Sequence, residues 1–223
     1  MLTYSLTPQV QAFTLGVGAV GTAPGADARE MGISEGSFSL PRTQLMIPRQ
    51  THSTNVAWVD TSGEVADTDA VITSVPGLCV AVKTADCIPV LLYDERQQIV
   101  AAIHAGWRGT VGRIVERTLE AMQSRGEDIH AIIGPGISLQ AFEVGEDVYE
   151  TFLNARFPMS RIAQRQAKWH LDLWEANRYL LEEWGISRIY SAGICTYTSP
   201  NFYSARRDTI RTGRNINGIM LKE

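Results

Sequence analysis

Apolar positions cluster in short continuous runs through the middle of the chain and fall at helical spacings in the second half. Residues 78–82, 88–93 and 98–103 are rich in Val, Ile and Leu and read as three consecutive buried strands. The polar stretch Asp94, Glu95, Arg96 and Gln97 between the last two suits a tight antiparallel connection. Residues 10–17, 55–59, 130–133 and 189–194 supply further strand candidates, the last of these closing the series. Val111, Ile114, Val115, Thr118, Leu119 and Met122 mark one face of a helix, with Thr110 as its expected N-cap and Gly126 as its expected stop. A short helix is expected over 146–153, where Val144, Val148 and Phe152 recur four apart. A better-marked helix spans 173–184, opened by the capping-box pair Asp172 and Glu175 and stopped by Gly185. With no internal repeat or low-complexity tract, the pattern predicts a mixed α/β (α+β) fold: one layered domain, residues 1–223, of mixed β-sheets flanked by helices.

Composition narrows the class without naming it. At 44% hydrophobic and 20% charged, 223 residues can enclose a substantial core. The formal charge of −4 gives no support to a nucleic-acid surface. No run reaches the ~20 apolar residues that a membrane helix needs. The three cysteines, Cys79, Cys87 and Cys195, are odd in number and form no CxxC unit. That argues against a disulfide framework and for a reducing compartment, with the cytoplasm as the default location. Residues 16–25 form a glycine-rich segment, but it lacks the spacing of a phosphate-binding fingerprint.

Chemistry concentrates where apolar runs meet irregular chain. Cys87 precedes one strand, His104 ends another, and His52 lies in Arg49-Gln-Thr-His-Ser53. Two imidazoles and a thiolate suit zinc and leave one coordination position for water or substrate. Taken singly, a histidine beside a strand is more often a hydrogen-bonding residue, and Cys79 reads as a small core residue. A hairpin would bring Cys87 close to His104, whereas His52 has to be carried in by the fold. Lys83, four residues before Cys87, favours a thiolate if it points inward.

Several segments then resemble one family. They are Gln50-Thr-His52, Ala66-Asp-Thr-Asp-Ala-Val-Ile-Thr73, Thr84-Ala-Asp-Cys-Ile-Pro-Val90, Ala102-Ile-His-Ala-Gly-Trp-Arg-Gly-Thr110, Ile133-Gly-Pro135, Phe142-Glu-Val-Gly145, Cys195-Thr196, Phe202-Tyr-Ser-Ala-Arg-Arg-Asp208 and Thr212-Gly-Arg214. Together they resemble the purine nucleoside phosphorylase family once called polyphenol oxidase or multicopper laccase, the laccase-domain-containing proteins. The resemblance implies a layered mixed α/β fold and zinc ligands at His52, Cys87 and His104. It also implies phosphorolysis of adenosine, inosine and related purine nucleosides with inorganic phosphate, alongside adenosine deamination. Two departures stand out: Gly136 occupies a position often filled by cysteine, and the N-terminal segment matches weakly.

For such a reaction Arg108 is the first candidate for phosphate and Lys83 the second, with Arg206, Arg207 and Arg214 as a further basic cluster. Asp86 is the nearest candidate acid or base, or else a residue that orients a ligand. Asn201, Phe202 and Tyr203 are candidates for lining a purine or ribose pocket. Asp67 and Asp69 suit hydrogen bonding in a turn before Val71, and His130 and His170 have no comparable neighbourhood. The zinc deaminase signature HxE with PCxxC is missing, so deamination would recruit its acid or base differently. Three other functions compete: copper-dependent polyphenol oxidation, a cysteine hydrolase with Cys87 as nucleophile, and a structural zinc or protein-interaction module.

Overall fold

The computed structural model describes residues 1–18, 33–35, 38–40 and 44–223. Residues 19–25 of the glycine-rich segment lie outside these. Two stacked sheets carry the architecture. The first runs in the order β1 (Leu2–Tyr4), β2 (Val10–Leu15), β16 (Asn215–Leu221), β8 (Cys79–Thr84), β5 (Leu45–Met46), antiparallel except for the β5–β8 pair. The second runs β15 (Arg188–Ser191), β11 (Ile129–Ile133), β9 (Ile88–Asp94), β10 (Ile99–Ala105), β7 (Ala70–Thr73), β6 (Val56–Trp58), parallel only at its two outer pairs. A small sheet of β12 (Glu143–Val144), β14 (Trp169–Leu171) and β13 (Ala163–Arg165) and a hairpin of β3 (Ile33–Glu35) and β4 (Phe38–Leu40) complete the strands.

Side-chain alternation divides the core into layers. Ile88, Val90 and Leu92 of β9 pack with Ile99, Ala101 and Ile103 of β10 against the helices. Leu91 and Tyr93, with Val100 and Ala102, face Val80, Val82 and Ile219 of the first sheet. Each fully buried Ile or Leu contributes about 1.5–3 kcal/mol relative to exposure. His104 shares the alternation of Val100 and Ala102, so it points between the two sheets at the very end of β10. The turn before β10 forms as its polar residues predict, with the Asp94 carboxylate accepting from the backbone N–H groups of Arg96 and Gln97 at 2.9 and 2.8 Å.

The helices are α1 (Trp107–Val111), α2 (Ile114–Met122), α3 (Glu146–Asn154), α4 (Met159–Ile162), α5 (Leu173–Glu183) and α6 (Ala205–Asp208). In α5 the Asp172 carboxylate accepts from the Glu175 N–H at 2.9 Å, as the capping pair predicts. The helix expected after Thr110 is differently built. It starts a turn earlier, after Gly106, and breaks at Arg113, whose φ of 60° interrupts the ladder. Thr110 is no cap; it is buried and accepts a hydrogen bond from Asn177 at 3.1 Å. Nor does Gly126 stop α2. The helix ends at Gln123 in the left-handed region, with Ser124 N–H bonded back to Leu119 and Gln123 N–H to Glu120, a Schellman closure. The last strand expected, 189–194, is confined to Arg188–Ser191, and β16, for which the sequence raised no expectation, lies at the centre of the first sheet. No helix among the described residues is long and apolar enough to cross a membrane.

Candidate metal centre and cavity

Asp69, immediately before β7, organises the site. It is fully buried, yet its carboxylate accepts from the N–H groups of Thr51, His52 and Ser53 at 3.1, 3.1 and 2.8 Å and from the Ser53 hydroxyl at 2.8 Å. Its fifth bond is to His104 Nδ1 at 2.7 Å. Burial alone would raise its pKa, but these bonds outweigh that and hold the carboxyl well below the usual range. The carboxylate therefore fixes His104 in the tautomer that presents Nε2 as a ligand atom. It also bends the loop around His52, whose φ is 61°.

His52, Cys87 and His104 each offer a ligand atom, and the three atoms lie within 4.8 Å of one another. Cys87 Sγ is 3.9 Å from His52 Nε2, and the two imidazole rings meet edge to face with centroids 4.8 Å apart. A mixed sulfur and imidazole set with three protein ligands fits zinc with an open position. The trio is the single such group among the described residues. Gly106 makes the approach possible, because a Cβ there would lie 3.1 Å from both Cys87 Sγ and His52 Cδ2. In the ligand-free geometry burial alone would raise the Cys87 thiol, but His104 and His52 outweigh it and bring its pKa down to about 6. Burial alone would lower His104, but Cys87 and Asp69 outweigh it and push it up to about 9. Thiolate and imidazolium thus stabilise each other.

The trio opens on a cavity of about 580 Å³. Of the residues expected from sequence, Lys83, Asp86, Arg206 and Arg214 line it with the three ligand candidates. Asp86 has φ of 91°, and its carboxylate accepts from the Thr196 hydroxyl and the Arg206 N–H, each at 2.7 Å. It staples the turn that carries Cys87 to the C-terminal segment. Arg108, Arg207, Asn201, Phe202 and Tyr203 are not brought to the cavity wall. Arg108 is exposed and lies 4.3 Å over its neighbour Trp107. Arg207 spends its guanidinium on the carbonyls of Thr196, Tyr197, Ser199 and Phe202 and on Asp208. Tyr203 exchanges backbone hydrogen bonds with the Asn215 side chain, and Phe202 is buried. Gly136 forms a parallel bridge with Cys195, whose Sγ accepts from the Ser138 N–H at 3.4 Å.

Sequence reasoning did not single out Arg49, Gln50, Glu64, Ile137, Phe142 and Ile210, which also line the cavity. Arg49 and Gln50 adjoin the His52 motif, and that adjacency was the available signal. Gln50 acts as a surrogate strand, exchanging two 2.8 Å bonds with the Lys83 backbone. Phe142 opens one of the segments that carry the resemblance, Phe142-Glu-Val-Gly145, and that was its signal; nothing local marks Ile210.

A family model described as multi-copper polyphenol oxidoreductase laccase matches residues 11–222. A protein from Bacteroides thetaiotaomicron named purine nucleoside phosphorylase is 46% identical over 85% of this chain and 77% of its own length. A protein from an unknown prokaryotic organism, named adenosine deaminase RL5, is 40% identical over 80% of this chain and 75% of its own. Among solved structures, Neisseria meningitidis protein NMB0706 superposes with a TM-score of 0.81 at 28% identity, covering 100% of this chain and 99% of that one.

Proposed function

Since the chain belongs to the family described as multi-copper polyphenol oxidoreductase laccase, we propose that its own activity is zinc-dependent phosphorolysis of purine nucleosides such as adenosine and inosine. The observation that carries this reading is the His52, Cys87, His104 trio opening on a cavity edged by Arg49, Lys83, Arg206 and Arg214. The name of the Bacteroides relative supports the substrate class. Polyphenol oxidation by several coppers needs more ligand groups than the single trio found among the described residues.

The three ligands would hold the zinc, which would supply a Lewis acid at the cavity. Asp69 keeps His104 in its ligating tautomer, and Asp86 holds the Cys87 turn. Arg49 and Lys83, which line the cavity alongside Glu64, would supply positive charge to the phosphate dianion. In the reaction, the bond from sugar C1′ to the purine nitrogen breaks, a bond from C1′ to a phosphate oxygen forms, and a proton leaves on the base. The products are free base and ribose 1-phosphate, which makes the protein a glycosyltransferase. A second reading, deamination of adenosine by water to inosine and ammonia, is supported by the name of the relative RL5.

Product analysis with zinc-quantified protein tests both. Adenosine and inosine should yield free base and ribose 1-phosphate only when phosphate is present, and a folded Cys87→Ala variant should yield neither. Absence of phosphorolysis by folded, zinc-loaded protein overturns the first reading, and phosphate-independent inosine from adenosine establishes the second.

A further inference from the structure

The lining of the cavity falls into two chemically distinct groups. One is built around Lys83: Gln50 pairs with its backbone, β16 runs alongside it at Ile216, and Arg49 and Arg214 flank these partners. The other is built around Phe142 and Arg206, with Ile137 and Ala205 beside them. Asp86 ties into the second group, its main-chain oxygen accepting from the Ile137 N–H and its carboxylate from the Arg206 N–H.

Arg206 is placed to stack rather than to grip an anion. Its two terminal nitrogens donate to the carbonyls of Ala141 and Glu143, both at 3.1 Å. Those bonds lie in the guanidinium plane and occupy one N–H on each terminal nitrogen. They also fix that plane, with Cζ 5.6 Å from the centroid of the Phe142 ring. Arg214 is spent similarly, on the carbonyls of Ile210, Thr212 and Gly213. Arg49 lines the cavity together with Lys83 and brings a further positive charge to it. A stacked arginine–phenyl pair in one part of the lining and basic side chains in another match the two halves of a phosphorolysis substrate pair.

We propose that Phe142 and Arg206 form the platform on which the purine base lies, so that the protein holds its substrate by the π face of the base rather than by its hydrogen-bonding edge. This rests on the nucleoside reading above. It implies that adenine, hypoxanthine and guanine nucleosides are held with similar strength, because all three present the same bicyclic face.

The test is a set of KM and kcat values for adenosine, inosine and guanosine, with the KM for phosphate measured alongside. Phe142→Leu should raise all three nucleoside KM values by roughly tenfold, the scale of one lost base stack. It should leave kcat and the phosphate KM within about twofold. Phe142→Tyr, which keeps the ring, should restore the nucleoside KM. Arg206→Lys, which keeps the charge and loses the plane, should behave like Phe142→Leu. Thermal melts and zinc content identify any variant that fails to fold. Unchanged nucleoside KM in Phe142→Leu, a rise confined to one base, or a loss carried by the phosphate KM overturns the platform. Nucleoside affinity of the zinc-loaded protein without phosphate, measured by ligand-observed NMR, separates the two proposals. If the protein binds nucleosides without turning them over, the phosphorylase reading falls, and the platform stands or falls on whether Phe142→Leu weakens that affinity. If it binds none, both fall.

Discussion

His104 and His52 offer the same imidazole to the same site, yet they are held in opposite ways. His104 ends a buried strand and is 3% exposed, its ring locked by a carboxylate. His52 sits on an exposed loop in a left-handed backbone conformation and is held to that carboxylate only through its main-chain N–H. One ligand is part of the core, and the other is a side chain that a loop brings over the opening. A single buried anion, Asp69, sets both. The geometry of the site is therefore set in one place, and the exposed ligand is expected to add little to the stability of the fold.

Breaking the shared anchor should have the largest effect. Asp69→Asn removes the charge and turns an amide donor toward backbone donors. It should cost about 3 kcal/mol, seen as a fall in melting temperature of about 6–12 °C. Zinc affinity by competitive chelation should fall about 10–100-fold.

Separating the two histidines sharpens the contrast. His104→Ala strands the buried Asp69 and should cost the metal-free protein about 2 kcal/mol in a denaturant melt. His52→Asn, which tolerates the left-handed backbone, should stay within about 0.5 kcal/mol of the parent. Both should lose zinc. Equal destabilisation by the two would refute the division of labour.

The smallest effect is a pH signature in the metal-free protein. Because the Cys87 pKa is lowered to about 6, its thiolate should predominate above that pH. Alkylation by iodoacetamide should then rise through a midpoint near 6, rather than the ordinary value of about 8.5. Cys79, whose thiol burial raises to about 12, should stay inert. Zinc should suppress the Cys87 reaction, and a midpoint near the ordinary value would show that His104 and His52 do not stabilise the thiolate.

The same contrast between local and assembled structure governs what could be read in advance. The β9–β10 hairpin was legible because Ile88–Asp94 and Ile99–Ala105 are nearly continuous apolar runs joined by Asp94 and its turn partners. Helix α5 was legible from its face and its Asp172 cap. Strand β16 was not, although it lies at the centre of a sheet. Its seven residues include two asparagines and a glycine, which count against a strand until the neighbours are known. Asn217 is fully buried and satisfied by the hydroxyls of Thr14 and Thr84 at 2.8 and 3.1 Å. Gly218 is needed because a Cβ there would lie 2.6 Å from the Phe13 ring and 3.0 Å from Cys79 Sγ. Arg108 and Arg207 illustrate the converse: their sequence positions suggested a substrate role, and their guanidiniums went to a neighbouring indole and to loop carbonyls.

By itself the sequence determined the buried strands, the hairpin and the chemical types of three ligand candidates, because apolar runs, turn residues and donor atoms are properties of short stretches. Only the tertiary structure decided that His52 meets Cys87, that Asp69 anchors both histidines, and that Phe142 and Arg49 line one cavity. Those meetings depend on how two sheets stack and where their loops end, and no local period in the chain encodes that packing.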